Sequence, residues 1–437
     1  MLESILYRGA KLVLPEGCRV GDLLIKDGKI AAIAPALSDI AELEIPSEGL
    51  TIMPGMIDSH LHFREPGATH KETIESGSKA AVSGGVTSFF EMPNTKPATV
   101  TAEAMAEKKD IASKTSLANY AFYIGATPDN LDVLNTVENV PGIKIYVGSS
   151  TGSLLVAEPE ELRPIFENGD RIISVHSEDE YMVRANMETY ADSTTPSDHY
   201  RIRSAEAAIK CTQMLHGLAT STKRRLHVLH ITSAEEVQFL RENPSPYVTA
   251  EVCPHHLMLH GPDVYDRLGN LAKVNPPIRE QHHTKALWEG LLDGTLHLIG
   301  SDHAPHTLEE KDQPFMKAPS GMPIVELTIP LLLQKCYEGR ITINQIVDWT
   351  ASRPAAFFGI PKKGLLKEGY DADLCIVDEQ QAWTVTRNGV QSKAGWSAFE
   401  DEALHGKVLM TTVNGQIVFR EGDFFEDYKG LEIQFNR

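Results

Sequence analysis

Six residues stand where hydrolytic metal chemistry could be built: His60, His62, Lys144, His176, His230 and Asp302. His60 and His62 end the run Ile57-Asp58-Ser59-His60-Leu61-His62. Two residues apart on an extended strand, both imidazoles project to one side, a geometry a metal can use. Such a pair can also arise by chance. His176 closes the apolar run 171–175, and His230 follows His227-Val228-Leu229. Either histidine alone reads as a satisfied core residue; both together, with His60 and His62, favour a metal centre. Asp302 follows the apolar run 296–299, where a carboxylate is costly unless paired or metal-bound. Its other role would be the N-cap of a following helix. Pro305 and the polar stretch 307–320 argue against a helix starting at once.

Lys144 lies inside the strand-like segment Gly142-Ile143-Lys144-Ile145-Tyr146-Val147, between isoleucines that must face the other way. Burying its ammonium lowers the pKa or demands a partner. One partner would be Asp302 or Glu251. The other solution is addition of CO₂ to the neutral amine, giving an anionic carbamate able to bridge two metals. Residues 142–157 contain no Asp or Glu. If two metals need a bridging anion from this strand, Lys144 is the only candidate.

The elements that must carry these residues alternate. Apolar strand-like runs occur at 51–57, 86–92, 118–124, 142–147, 171–175, 226–231, 247–252 and 296–299, with helical stretches such as 70–83, 102–114, 204–219, 234–242 and 283–292 between them. Eight strands alternating with helices predict a TIM-like (β/α)8 barrel, which places its chemistry at the C-terminal strand ends. An open doubly wound sheet would show a Gly-rich phosphate turn after its first strand, and Pro54-Gly55-Met56 is not one. The two ends of the chain differ from the middle. The runs 11–14, 22–26 and 30–33, and later 372–377, 408–413 and 416–419, are β-prone, with turn signals at Asp27-Gly28 and Asn414-Gly415. They predict a small β-sandwich built from both termini. The expected division is residues 1–53 and 360–437 for this composite domain and 54–359 for the barrel.

With 41 basic and 60 acidic side chains the chain carries a formal charge of −19. Such a surface repels nucleic acid and anionic lipid, so neither is an expected partner. A few local cations can still hold an anionic small molecule. The five cysteines form no C-x-x-C pair, so a reducing, cytoplasmic setting is expected. Residues 1–9 show no apolar signal-peptide core, and no run reaches membrane-spanning length.

Eight segments together carry a resemblance. They are PGMIDSHLHFREPG (54–67), EMPNTKP (91–97), GIKIYVGSSTG (142–152), VHSED (175–179), HVLHIT (227–232), EVCPHH (251–256), KVNPPIR (273–279) and SDHAPHT (301–307). In this order they resemble the amidohydrolase superfamily and, within it, the dihydroorotases. GLLKEGYDADLCIV (364–377) resembles the family's small β domain. The resemblance implies a hydrolase of cyclic amides in pyrimidine biosynthesis. It would interconvert N-carbamoyl-L-aspartate and L-dihydroorotate on two Zn²⁺ ions. His60 and His62 would bind the first metal and His176 and His230 the second. Lys144, as N6-carboxylysine, would bridge them. Asp302 would complete the first site and act as general base and acid. Arg64 and Asn94 would hold the substrate carboxylate, helped by Asn275 and His306, with backbone groups of Ser320 and Gly321 against the ring. Glu251 matches a position that binds a third metal in some relatives. Allantoinase and dihydropyrimidinase share the metal site, but dihydropyrimidine has no carboxylate to satisfy Arg64. A metal-free scaffold would have lost ligands, and here all six match. The oligomeric state stays open, with a homodimer one option.

Overall fold

The computed structural model describes residues 2–148 and 154–436, so positions 149–152 of the segment 142–152 lie outside the described residues. The chain opens with β1 (Ser4–Leu14), β2 (Gly17–Lys26) and β3 (Lys29–Ala34), an antiparallel meander. Asp27 and Gly28 turn the second hairpin at φ 51° and 75°, the doubly left-handed conformation that an Asp-Gly pair adopts readily. β4 (Leu43–Pro46) and β5 (Thr51–Pro54) then run parallel to β1.

The expected first barrel run 51–57 is divided in the structure. β5 belongs to the terminal sheet, and β6 (Met56–Leu61) starts the barrel. Gly55 makes the passage: a Cβ there would stand 2.1 Å from the Thr87 side chain. β7 (Val86–Glu91) and β8 (Asn119–Phe122) follow in parallel, and β8 runs on through Tyr123 into β9 (Ile124–Gly125). β10 (Ile143–Tyr146), β11 (Ile173–His176), β12 (Leu226–Val228), β13 (Val248–Val252) and β14 (Leu298–Ile299) continue the parallel order. The ring closes where Asp302 N donates to His60 O and His62 N donates to His303 O, each at 2.8 Å. Counting β8 and β9 as one strand, eight strands surround the axis, a TIM-like barrel. Helices such as Ile74–Ser83, Ala205–Thr222 and Gln281–Asp293 form the outer layer.

After the barrel, β15 (Leu374–Thr384), β16 (Ala403–Val413), β17 (Gln416–Arg420) and β18 (Asp423–Phe424) return to β5, so both ends of the chain share one nine-stranded sheet. Its strands close on Tyr7, Leu12, Leu23, Ile52, Leu374 and Ile376, a separate apolar core and the expected small β-sandwich. Two later segments pack elsewhere. Between β15 and β16 the chain crosses to the barrel mouth, where Trp396 Nε1 donates to His306 O at 2.8 Å. After β18, Ile433 N donates to Tyr120 O at 2.9 Å, at the N-terminal end of the barrel. Among the described residues no helix is long and apolar enough to cross a membrane.

Candidate active site

The six expected metal-site residues and the six expected substrate contacts beside them line one cavity of about 620 Å³ at the C-terminal ends of the barrel strands; Glu251 does not. β6 delivers His60 and, just past its end, His62; β10 delivers Lys144, β11 His176, the turn after β12 His230, and the turn after β14 Asp302. Asp302 Oδ1 lies 3.0 Å from His62 Nε2 and 3.3 Å from His60 Nε2. His176 Nδ1 and His230 Nε2 approach to 3.0 Å. Ligand atoms of His60, His230 and Asp302 all lie within 4.8 Å of one another. Donors around a tetrahedral zinc stand about 3.3 Å apart, given bonds of about 2.0–2.1 Å.

The outward nitrogens of three histidines are held from behind. His60 Nδ1 donates to Glu251 Oε1 at 2.6 Å, His62 Nδ1 to Asn94 Oδ1 at 2.7 Å and His176 Nε2 to Glu178 Oε2 at 2.7 Å. Each of these bonds fixes a tautomer and leaves the other nitrogen as a bare lone pair facing the cluster. Burial lowers His62 to about 4 and also depresses His176 and His230, so these rings are neutral, as metal ligands must be. His230 Nδ1 is buried with no partner. The residues present therefore fit divalent metal.

Lys144 is buried, and its Nζ sits 4.5 Å from the centre of the Tyr146 ring. It makes no ion pair with Asp302 or Glu251, whose ion-pair partners are histidines. Burial pulls its pKa down to about 7, against the attraction of Asp302 and Glu251. A substantial share of the amine is thus neutral near pH 7, the form that adds CO₂. Burial pushes the Asp302 carboxyl up, but attraction to His60, His62 and His230 in their protonated forms outweighs it and holds the carboxyl well below the usual carboxylate range. Asp302 is therefore a carboxylate at neutral pH, able to accept a proton.

Three of these residues have left-handed backbones: Arg64 at φ 65°, His230 at 39° and Asp302 at 48°. For a non-glycine residue this costs on the order of 1–2 kcal/mol, and such strain gathers where geometry matters for function.

The other half of the cavity is polar and cationic. Arg64 Nε donates to Pro305 O at 3.1 Å, and Nη2 lies 3.2 Å from His306 Nε2. Its guanidinium has no ion pair with an acid among the described residues; Glu65 Oε2 instead accepts from Ile74 N at 2.8 Å. Lys71 Nζ donates to His306 Nδ1 at 3.0 Å, which leaves His306 Nε2 to donate to Ser320 O, also at 3.0 Å. Asn275 Oδ1 accepts from His199 Nε2 at 2.9 Å, leaving its amide hydrogens as donors. Gly321, at φ 138°, has no room for a Cβ, which would stand 2.3 Å from Ala304 O. Its N–H donates to Lys273 O, and its carbonyl accepts from Lys311 Nζ while keeping a second lone pair.

The polar stretch 307–320 holds a single turn of helix, Leu308–Lys311, capped by Thr307 rather than Asp302. The sequence reading gave no role to Glu178 or Arg203. Glu178 accepts two hydrogen bonds from Arg203 Nε, at 2.9 and 3.1 Å, behind His176. An acid two residues after a candidate ligand was the available signal. Glu251 supports His60 and also accepts from His227 Nε2 at 3.1 Å.

A barrel with this cluster at its mouth is the architecture of the amidohydrolases. The chain belongs to the amidohydrolase family, whose model matches residues 51–418. Its sequence is similar to dihydroorotases. That of Methanosarcina acetivorans is 34% identical over 417 residues, covering 91% of this chain and 88% of the relative. That of Pyrococcus abyssi is also 34% identical, covering 94% of each. Among solved structures, an L-hydantoinase (dihydropyrimidinase) from Arthrobacter aurescens superposes with a TM-score of 0.94 at 29% identity, covering 99% of this chain and 100% of that one. A dihydropyrimidinase from Brevibacillus agri gives 0.92 at 26% identity, with the same coverage.

Proposed function

We propose that this chain is a dihydroorotase that closes N-carbamoyl-L-aspartate to L-dihydroorotate with loss of water and opens the ring in reverse. The observation that carries the substrate is Arg64, a guanidinium without an acid partner among the described residues, in the same cavity as the histidine cluster. A guanidinium fork matches a carboxylate with two parallel hydrogen bonds, and dihydroorotate differs from dihydrouracil by a carboxylate. Asn94, with its amide hydrogens still available, and Asn275 complete the anion site, with His306 and the backbone of Ser320 and Gly321 along the ring.

His60, His62 and Asp302 would hold one zinc ion and His176 and His230 a second, bridged by a carbamate on Lys144. When bound, the pair supplies Lewis acidity and draws the pKa of a water toward about 7. Asp302 accepts the proton of the attacking water and delivers it to the ring nitrogen as the amide C–N bond breaks; in ring closure the same carboxylate moves the proton back. Arg64 and Asn94 fix the ring so that its amide carbonyl faces Asp302. The carbamate forms when the neutral Lys144 amine bonds to CO₂ and releases one proton.

The same reading treats residues 1–53 and 360–437 as one composite domain and 54–359 as the catalytic barrel. It places the enzyme in the cytoplasm, in keeping with five free cysteines, and takes a homodimer as the simplest closed assembly.

The test is turnover of L-dihydroorotate, dihydrouracil and allantoin by purified enzyme with its metal quantified. Preference for L-dihydroorotate with about two zinc ions per chain is expected. Preference for dihydrouracil, toward which the hydantoinase-like overall shape points, would move the chain to that branch.

A further inference from the structure

Beneath the cavity wall lies an ion pair that the proposed chemistry does not use. Glu91, the last residue of β7, and Lys108, on helix Ala102–Thr115, are both essentially inaccessible to solvent. Their charged atoms meet at 2.6 Å. A buried pair of this kind is weak evidence for stability, because desolvation offsets most of the attraction. Its other bonds show what it does. Glu91 Oε1 accepts from the backbone N–H of Phe63 at 3.1 Å, and Lys108 Nζ donates to the backbone carbonyl of Met92 at 3.2 Å.

Those two backbone groups belong to the two chains that carry the anion site. Phe63 immediately precedes Arg64, and Met92 comes two residues before Asn94. The ladder between β6 and β7 ends where Met92 N donates to Leu61 O at 3.0 Å, and the next backbone tie is Lys96 N to Pro66 O at 3.1 Å. Arg64 and Asn94 both lie in the interval between. There the chains are joined by the His62–Asn94 contact and by the bridge Phe63 N–Glu91–Lys108–Met92 O. Arg64 also holds a left-handed backbone, which persists only when its surroundings over-determine it.

We infer that Glu91 and Lys108 are positioning residues that set the Arg64 guanidinium against the Asn94 amide, and so set affinity for the substrate carboxylate. The inference rests on the dihydroorotase reading for the identity of that carboxylate, but not for the geometry. Neither residue lines the cavity. Losing Lys108 would free the Met92 carbonyl and leave Glu91 as an uncompensated buried charge. The Arg64 and Asn94 turns would then drift apart, while His60 and His176 kept their backing acids Glu251 and Glu178.

The test is steady-state kinetics on metal-loaded Lys108→Met and Lys108→Arg enzymes. Small displacements of positioning groups can cost up to about 100-fold. We therefore expect Lys108→Met to raise KM for L-dihydroorotate about tenfold or more, with kcat within about threefold and metal content unchanged. Lys108→Arg, which keeps the cation, should restore most of the affinity. If Lys108→Met does not fold, Glu91→Gln/Lys108→Met leaves no unpaired charge, keeps an acceptor for Phe63 N–H, and should show the same KM increase. An unchanged KM in either folded variant overturns the inference, as does an equal loss of kcat and metal in both the Met and Arg enzymes. A crystal structure of the folded variant reads the Arg64 φ and the Arg64–Asn94 separation without any substrate. Wild-type enzyme that holds metal but does not turn over L-dihydroorotate would sink the substrate reading, while a displaced Arg64 in that crystal structure would still support the positioning role.

Discussion

The two halves of the cavity are built differently. On one side His60, His62, Lys144 and His176 stand on or just beyond barrel strands, and His60 and His176 are backed by buried acids, Glu251 and Glu178. On the other side Arg64, Asn94, Asn275, His306, Ser320 and Gly321 all lie in turns beyond the strands. There the partners are mostly backbone carbonyls and neighbouring side chains, such as Pro305 O for Arg64 and Lys71 for His306. Strands fixed by a closed ladder can hold several ligands to a metal geometry that tolerates little error. Turns can change what is recognised without disturbing the ring. This division accounts for a chain whose shape closely matches hydantoinases while its sequence similarity includes dihydroorotases at 34% identity. On the proposed reading the reaction class rests on groups on strands or in the short turns directly after them, and the substrate on the longer turns around the mouth.

That division can be broken from the metal-ligand side first. Asp302→Asn removes the proton carrier, and hydrolysis of every cyclic amide the enzyme accepts should fall by about 10²–10⁴-fold, with circular dichroism unchanged. Near-normal turnover would take Asp302 out of its role. From the turn side the loss should be selective. Arg64→Met should cost about 2–5 kcal/mol in kcat/KM for L-dihydroorotate, with both metals retained. An equal loss of metal in this variant would show that the halves are not independent. The smallest effect sharpens the strand half alone. Burial holds Lys144 at about 7, below its ordinary value, so the neutral amine predominates above that pH and the ammonium below it. Reloading of metal-free enzyme with zinc and bicarbonate should slow about tenfold for each pH unit below 7, by the ordinary proton equilibrium, and level off above it. A rate that is flat from pH 5 to 8 would remove the carbamate step.

The same contrast separates what the sequence discloses from what it hides. Strand ends are legible because an apolar run followed by His176 or Asp302 is a local pattern, and the H-x-H pair of His60 and His62 lies within three residues. The Lys144 reading is local too: a lysine between two isoleucines has no exposed face to choose. The run 51–57 looks like one strand in the sequence because composition does not register the crossing at Gly55 from one sheet to another. Contacts between distant segments leave less trace. Nothing near Trp396 announces that its indole reaches His306, 90 positions earlier. Arg203 meets Glu178 across 25 residues and a change of element. The single helical turn at Leu308–Lys311 leaves little trace in the sequence because its Thr307–Glu310 capping box is embedded in a polar stretch.

The shared sheet has a consequence for how the molecule is made. β5 is flanked by β1, translated just before it, and by β15, translated some 320 residues later in numbering, from Leu374 onward. On the ribosome the whole barrel emerges before β15 and β16 exist. Through that time β5 presents a bare edge, a row of unsatisfied amides of the kind that recruits foreign strands. Pro54 at the end of β5 cannot donate to such a partner, and it shortens the exposed edge during the wait for its own.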